Sequence, residues 1–230
     1  MTVRRHSSRA NQRGLSMIEL MVALLLSSLL LLGVLQMFSN SSHSSKVSTA
    51  LIQVQDSGRV VLDMIASDAR RAGYQGCVMP SNVVTVSNGT KFPRDAVTTI
   101  AGNNTSITFN YAVTANTGIA MPGTNKGCVN GTTPTLYLYS VTYSNCANGT
   151  SICMNSTTSG GTQTIVDGAQ ITGFNLGYES GANTVWKSAG TITSAQLQSA
   201  DRLQVSLTAT ESTQNVSRSF VNTIELRNRP

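Results

Sequence analysis

Arg13-Gly14-Leu15-Ser16-Met17-Ile18-Glu19-Leu20 stands at the head of an apolar run, and the reading of the chain starts there. Four arginines, Arg4, Arg5, Arg9 and Arg13, precede Gly14, and no acidic residue falls among the first eighteen positions. From Leu20 to Leu35 there is no charge, only aliphatic residues, Met21, Ala23, Gly33 and the pair Ser27-Ser28. A basic head before an apolar run keeps the N-terminus in the cytoplasm and sends the rest of the chain outward. A secretory signal would carry a small-residue cleavage site behind its apolar core. This core runs instead into Gln36-Met37-Phe38-Ser39-Asn40-Ser41-Ser42, with no such pattern.

Glu19 is the anomaly in this stretch. A carboxylate at the centre of a spanning helix costs about 2.5–3.5 kcal/mol on insertion scales, so its presence asks for a role. Two readings stand at this point. Ser16-x-x-Glu19 fits a helix capping box, and near the membrane edge the penalty shrinks. Alternatively, Glu19 has work to do inside an assembly of such helices.

Gly14, the apolar Leu15 behind it and Glu19 five places on together resemble a type IV prepilin leader. The resemblance implies that a membrane-embedded aspartic peptidase cuts after Gly14 and that the new N-terminus, Leu15, is methylated. It also implies that Glu19 neutralises an N-terminal amine when subunits pack into a filament. Leu15 replaces the commoner Phe or Met.

The leader explains the charge. Of the 16 basic residues four lie within 1–14, and the remaining 12 stand against 10 acidic ones, a formal charge of +2 in place of +6. The basic balance is therefore no sign of nucleic-acid binding. Only 11% of residues are charged, and Ser, Thr, Asn and Gly dominate the second half. That is the composition expected of a β-rich domain outside the cytoplasm.

The patterning divides the chain into four segments. Residues 1–14 read as the leader and 15–38 as a helix long enough to span a bilayer. Residues 39–76 read as an amphipathic continuation of that helix, and 77–230 as a β-rich head. The polar stretch Ser39–Ser45 leaves room for fraying or a bend. Beyond it Val47, Leu51, Val54, Gly58, Leu62, Ile65, Ala69 and Ala72 recur at spacings of three and four, a core-packing stripe. Taken as one element, Leu15–Ala72 would be roughly 87 Å long by helical rise, too long for a compact domain to bury. Its first half belongs in lipid or among like helices, and its second half on a sheet. Gly73 suits a helix C-terminus behind the basic pair Arg70-Arg71.

Around that helix end Asp56-Ser57-Gly58-Arg59, Leu62, Asp68 and Arg70-Arg71-Ala72-Gly73-Tyr74-Gln75-Gly76-Cys77 resemble PilW-type minor pilins. The resemblance returns in Ser219-Phe220-Val221-Asn222-Thr223-Ile224-Glu225-Leu226-Arg227-Asn228-Arg229. It implies an α+β type IV pilin fold, a long N-terminal helix on an antiparallel β-sheet head. It also implies a structural subunit that primes pilus assembly and ends at or near the filament tip. The expected partners are the major pilin, other minor pilins, the prepilin peptidase and the inner-membrane assembly platform. The chain would sit first in the inner membrane, head in the periplasm, and later in the surface pilus. A type II secretion pseudopilin shares the same leader, helix and sheet. A DNA-capturing pilin would need more cationic surface than Arg218, Arg227 and Arg229 provide. Nucleic acid is therefore not an expected partner.

In the head, alternation marks strands at Ile107–Val113, Leu136–Tyr143, Phe174–Tyr178, Leu203–Ala209 and Phe220–Leu226. Asn-Gly pairs at 88–89, 130–131 and 148–149 mark turns, and 156–161 reads as a loop. The two histidines are His6 and His43, so the head has none for a triad or a zinc site. Its carboxylates are dispersed and no phosphate loop occurs, which disfavours an envelope enzyme; no cofactor is expected. Asn-x-Ser/Thr triplets are what an Asn-, Ser- and Thr-rich chain produces by chance.

Cys77, Cys128, Cys146 and Cys153 read as two structural disulfides in an exported domain. Cys146 and Cys153 flank a short loop with a turn signal, so their Cα atoms can approach the roughly 5.5–6 Å that a bridge prefers. That leaves Cys77–Cys128, which would tie the helix end to the sheet and contribute about 3–4 kcal/mol in the chain-entropy picture.

Overall fold

The structure, a computed structural model, describes residues 16–76, 84–92, 94–122 and 135–228. Gly14, Leu15, Cys77, Cys128 and the Asn-Gly pair at 130–131 lie outside them. The chain divides into two compact units, Met1–Ser48 and Thr49–Pro230.

Helix α1 covers Met17–Arg71 without a break. The polar stretch after the apolar run is helical throughout, so the fraying that its composition permits does not occur. Helix formation is cooperative, and a weak segment between two strong ones is carried along. The predicted end also holds. Gly73 takes φ +82°, the left-handed conformation that suits a residue just past a helix.

The head contains β1 (Val84–Thr85), β2 (Lys91–Phe92), β3 (Val97–Thr99), β4 (Ile107–Val113), β5 (Tyr137–Asn145), β6 (Ser151–Ser156), β7 (Thr162–Asp167), β8 (Ala169–Ser180), β9 (Asn183–Ser188), α2 (Ser194–Ser199), β10 (Ala200–Glu211) and β11 (Val216–Glu225). These strands make two principal sheets. One has the order β3-β4-β5-β6-β7 and the other β11-β10-β8-β9, with β1-β2 as a small separate ribbon. All described pairings are antiparallel. The fold class is α+β.

The buried stripe of α1 runs through Ala50, Val54, Gly58, Val61, Leu62, Ile65, Ala66 and Ala69. It shares one core with Ile107, Phe109 and Val141 of the first sheet and with Phe174, Leu203, Val205 and Leu207 of the second. Alternation on β10 puts Leu203, Val205, Leu207 and Ala209 inward, all fully buried. The second sheet comes very close to the helix at one point. A Cβ on Gly58 would lie 2.5 Å from the Phe220 ring, so a larger residue there would force the ring to move. The two sheets are joined at a polar seam. The Asn145 side chain donates to Ile171 O at 3.0 Å and accepts from Ile171 N at 2.7 Å. A smaller apolar cluster holds Val86, Phe92, Ala112, Met121, Leu136 and Leu138.

The β5–β6 hairpin turns at Asn148-Gly149, with Gly149 at φ +69°. Cys146 and Cys153 close it with a disulfide at a Cα–Cα distance of 5.1 Å. The staple holds a hairpin whose tip is exposed.

Candidate functional site

Two places in the chain carry distinctive chemistry: the first turn of α1, to which the sequence points, and its last turn in the head.

The first turn starts at Ser16, whose carbonyl accepts from Glu19 N at 3.0 Å and Leu20 N at 3.2 Å. Glu19 therefore lies in the first turn, where its negative charge complements the helix dipole. Behind it α1 carries a stretch long and apolar enough to cross a membrane, all of it exposed. Leu24, Leu25, Leu29, Leu30, Leu31 and Leu32 are each more than half exposed. One polar group in this run closes on the helix itself, the Ser28 hydroxyl donating to Leu25 O at 2.8 Å. A hydroxyl satisfied in this way makes little demand on lipid.

The last turn holds a group that sequence reasoning noted only as part of a pattern. Asp68 lies on the buried side of α1, 7% exposed. Tyr111 on β4 donates its hydroxyl to Asp68 Oδ1 at 2.9 Å, and Tyr143 on β5 donates to Oδ2 at 2.6 Å. Arg71 Nη2 donates to Oδ1 at 2.5 Å, and its guanidinium carbon sits 4.6 Å from the centre of the Tyr111 ring. One carboxylate thus ties the helix end to two neighbouring strands of the five-stranded sheet. Burial, and then the Asp68 carboxylate, push both phenols far above their ordinary range. Both therefore remain donors at any physiological pH. A signal for this site was present in the sequence: Val61, Ile65, Asp68 and Ala72 are spaced as one helix face, so an acid stood where a core residue belongs.

The raised phenols make a pH prediction. The unfolded chain releases its tyrosine protons near pH 10, while the folded chain holds those of Tyr111 and Tyr143. Their contribution is intact below about pH 10 and is lost as pH rises above it. Urea unfolding between pH 8 and 11.5 is expected to show stability falling above pH 10. Tyr143→Phe should lower stability at pH 8 and make the alkaline fall shallower. An unchanged alkaline slope in that variant would contradict the assignment.

The chain's end completes the helix terminus. The Asn228 side chain donates to Arg70 O at 3.1 Å and Arg71 O at 3.5 Å. Carbonyls that the last turn leaves without helical partners are thereby capped from a residue near the C-terminus.

Residues 9–35 match the family model for the prokaryotic N-terminal methylation motif. The match covers the end of the basic leader, Gly14, Leu15, Glu19 and the apolar run. No curated protein matches this chain. Among solved structures, a type IV-like pilin from Thermus thermophilus is similar at a TM-score of 0.41 with 7% identity, over 77% of this chain and 99% of that one.

Of the residues singled out from sequence, Glu19 lies in the first turn of α1, and Cys146 and Cys153 are bonded to each other. Among the described residues no group of three His, Cys, Asp or Glu side chains gathers into a metal-binding arrangement. Sequence reasoning missed Tyr111 and Tyr143 as partners of Asp68.

Proposed function

We propose that this chain is a minor pilin of the PilW-like kind, a structural subunit that helps start a type IV pilus and is built into it at or near the tip. The observation that supports the pilin part of this reading is the methylation motif at residues 9–35, with Glu19 five places after Gly14; the PilW-like part rests on the resemblance of the helix end, residues 70–76. The leader is removed between Gly14 and Leu15 by a prepilin peptidase, and Leu15 is methylated. Before assembly, residues 15–38 hold the protein in the inner membrane with the head in the periplasm. Afterwards the same residues pack among the helices of the major pilin and other minor pilins, delivered by the assembly platform. The role is structural and not catalytic: the head lacks histidine altogether, and its buried acid is engaged in holding the helix.

Glu19 serves assembly in this account. A carboxylate in a low-dielectric bundle needs a positive partner, and the amine freed at Leu15 supplies one. Glu19→Ala is expected to insert and to be cleaved normally, because neither step needs a paired carboxylate. Its recovery in sheared pili, or in complexes with other minor pilins, should fall by about tenfold, since losing one partner leaves the other charge buried alone. Equal recovery of wild type and variant would remove the assembly role and leave Glu19 as a capping residue. Co-purification of the membrane-extracted full chain with secretion-system components instead of pilins would reassign it to a type II secretion pseudopilin.

A further inference from the structure

The four-stranded sheet has an outer face that the core does not use. Opposite the inward row Leu203–Val205–Leu207–Ala209, β10 presents Arg202, Gln204, Ser206, Thr208 and Thr210. Its neighbours in register continue the same chemistry. Asn175 pairs with Gln204 and Gln170 with Thr208 on β8, and Thr223, Ser219 and Ser217 lie opposite on β11. Hydroxyls meet across the strands, Thr208 with Ser219 at 3.2 Å and Thr210 with Ser217 at 3.1 Å.

At one end of this face lies Trp186, the chain's single tryptophan. It is paired across β8–β9 with Gly177. A Cβ on Gly177 would come within 3.1 Å of Trp186 Cζ3 and 3.2 Å of Cε3. The glycine therefore gives the indole a seat against the sheet, and the residue stays 38% open to solvent. Beside it Arg202 donates to Thr184 Oγ1 at 2.8 Å. Its charge is offset by Asp201 at 3.7 Å and Glu179 at 4.0 Å. Next along the face, Asn175 Nδ2 donates to Gln204 Oε1 at 3.2 Å, which uses one end of each amide. At the far end a groove of about 470 Å³ is lined by Thr150, Gly168, Gln170, Thr208, Thr210 and Ser212. About 20 Å of strand separates Arg202 from Thr208.

We propose that this face binds a neutral polysaccharide chain, with one sugar ring stacked on Trp186 and the next units running over Gln204 and Asn175 towards the hydroxyl-lined groove. A pyranose ring has an apolar C–H face and a rim of hydroxyls. An open indole face fits the first, and a row of hydroxyl and amide groups fits the second. The charge balance favours a neutral ligand: the nearest guanidinium is already paired, and among the described residues no cationic stripe accompanies the aromatic ring as a nucleic-acid strand would need. A protein partner would need more buried apolar area than Trp186 and Val221 supply. The site is independent of the pilin reading, since it uses head residues alone.

The test uses the full chain in a polyoxyethylene detergent, which has no sugar headgroup. Emission of Trp186 reports this site without background. Cello-, malto-, manno- and chitohexaose are the probes, with sulphated dextran as the charged comparison. At least one neutral hexaose should change the emission saturably. Gln204→Ala, which keeps the fluorophore, should weaken that binding by about tenfold, as expected where an interface residue contributes directly. Trp186→Ala should abolish it by equilibrium dialysis while keeping a cooperative thermal transition. No response to any of the four hexaoses, a response to sulphated dextran alone, or undiminished binding by Gln204→Ala would each overturn the proposal.

Discussion

Asp68→Ala is expected to lower the stability of the folded chain by about 2–5 kcal/mol, because two buried phenol donors lose their acceptor, while the half-exposed Arg71 adds little through solvent screening. The loss has identifiable parts. The Tyr111 and Tyr143 hydroxyls lose their acceptor in the core, and the Arg71 guanidinium loses its counter-charge. A buried donor left unmade costs about 1–3 kcal/mol by itself. In a chain of this size the thermal midpoint should drop by about 10 °C. Tyr111→Phe and Tyr143→Phe each remove a donor together with its need, so each should cost less, about 1–2 kcal/mol. The order is the informative part. An Asp68→Ala variant as stable as Tyr143→Phe would mean that the carboxylate does not hold the helix end to β4 and β5.

Gly73→Ala comes next in size, at about 2–4 kcal/mol, for two reasons that add. Gly73 sits at φ +82°, where a Cβ costs about 1–2 kcal/mol. In addition, the new Cβ would lie against the backbone carbonyl of Asn228, which would have to move away. Moving it breaks the cap that Asn228 places on Arg70 and Arg71. Gly181→Ala separates the two causes. Gly181 has a similar φ of +66°, and a Cβ there meets nothing within 4 Å. It should cost only the conformational part. Equal losses at both positions, measured by urea unfolding, would show that contact between the chain's end and the helix adds nothing.

Much of this architecture could be read from the sequence where a single face is buried. The strands β4, β8 and β10 announced themselves because Ile107, Phe109 and Tyr111, then Phe174 and Leu176, then Leu203, Val205 and Leu207 alternate with polar residues. The strands β7 and β9 carried no such signal. They are sheet edges with little buried on either face, so their Ser, Thr and Asn content looks like loop. In β6 Ser151, Ile152 and Cys153 are buried in succession, which erases the alternation. Which strands share a sheet was not legible, because pairing joins residues far apart in the chain; the strands fall into two sheets that meet where the Asn145 side chain bonds the Ile171 backbone. The candidate sites divide in the same way. Glu19 could be singled out because Gly14 and the apolar run that make it unusual lie beside it in the chain. The Asp68 knot was not, since its tyrosines lie 43 and 75 residues away. Nor was Trp186 readable as an open platform: its seat depends on a glycine across the sheet.

The central claim is that this chain is processed as a prepilin, and the N-terminus of the mature protein tests it most directly. Intact-mass and N-terminal peptide mass spectrometry should be run on protein recovered from the envelope of cells that carry a prepilin peptidase. The expected first residue is Leu15, with the added mass of one methyl group on its amine and none of Arg4, Arg5, Arg9 or Arg13 retained. A mature protein that keeps those arginines, or one that begins beyond Ser39, would contradict the account.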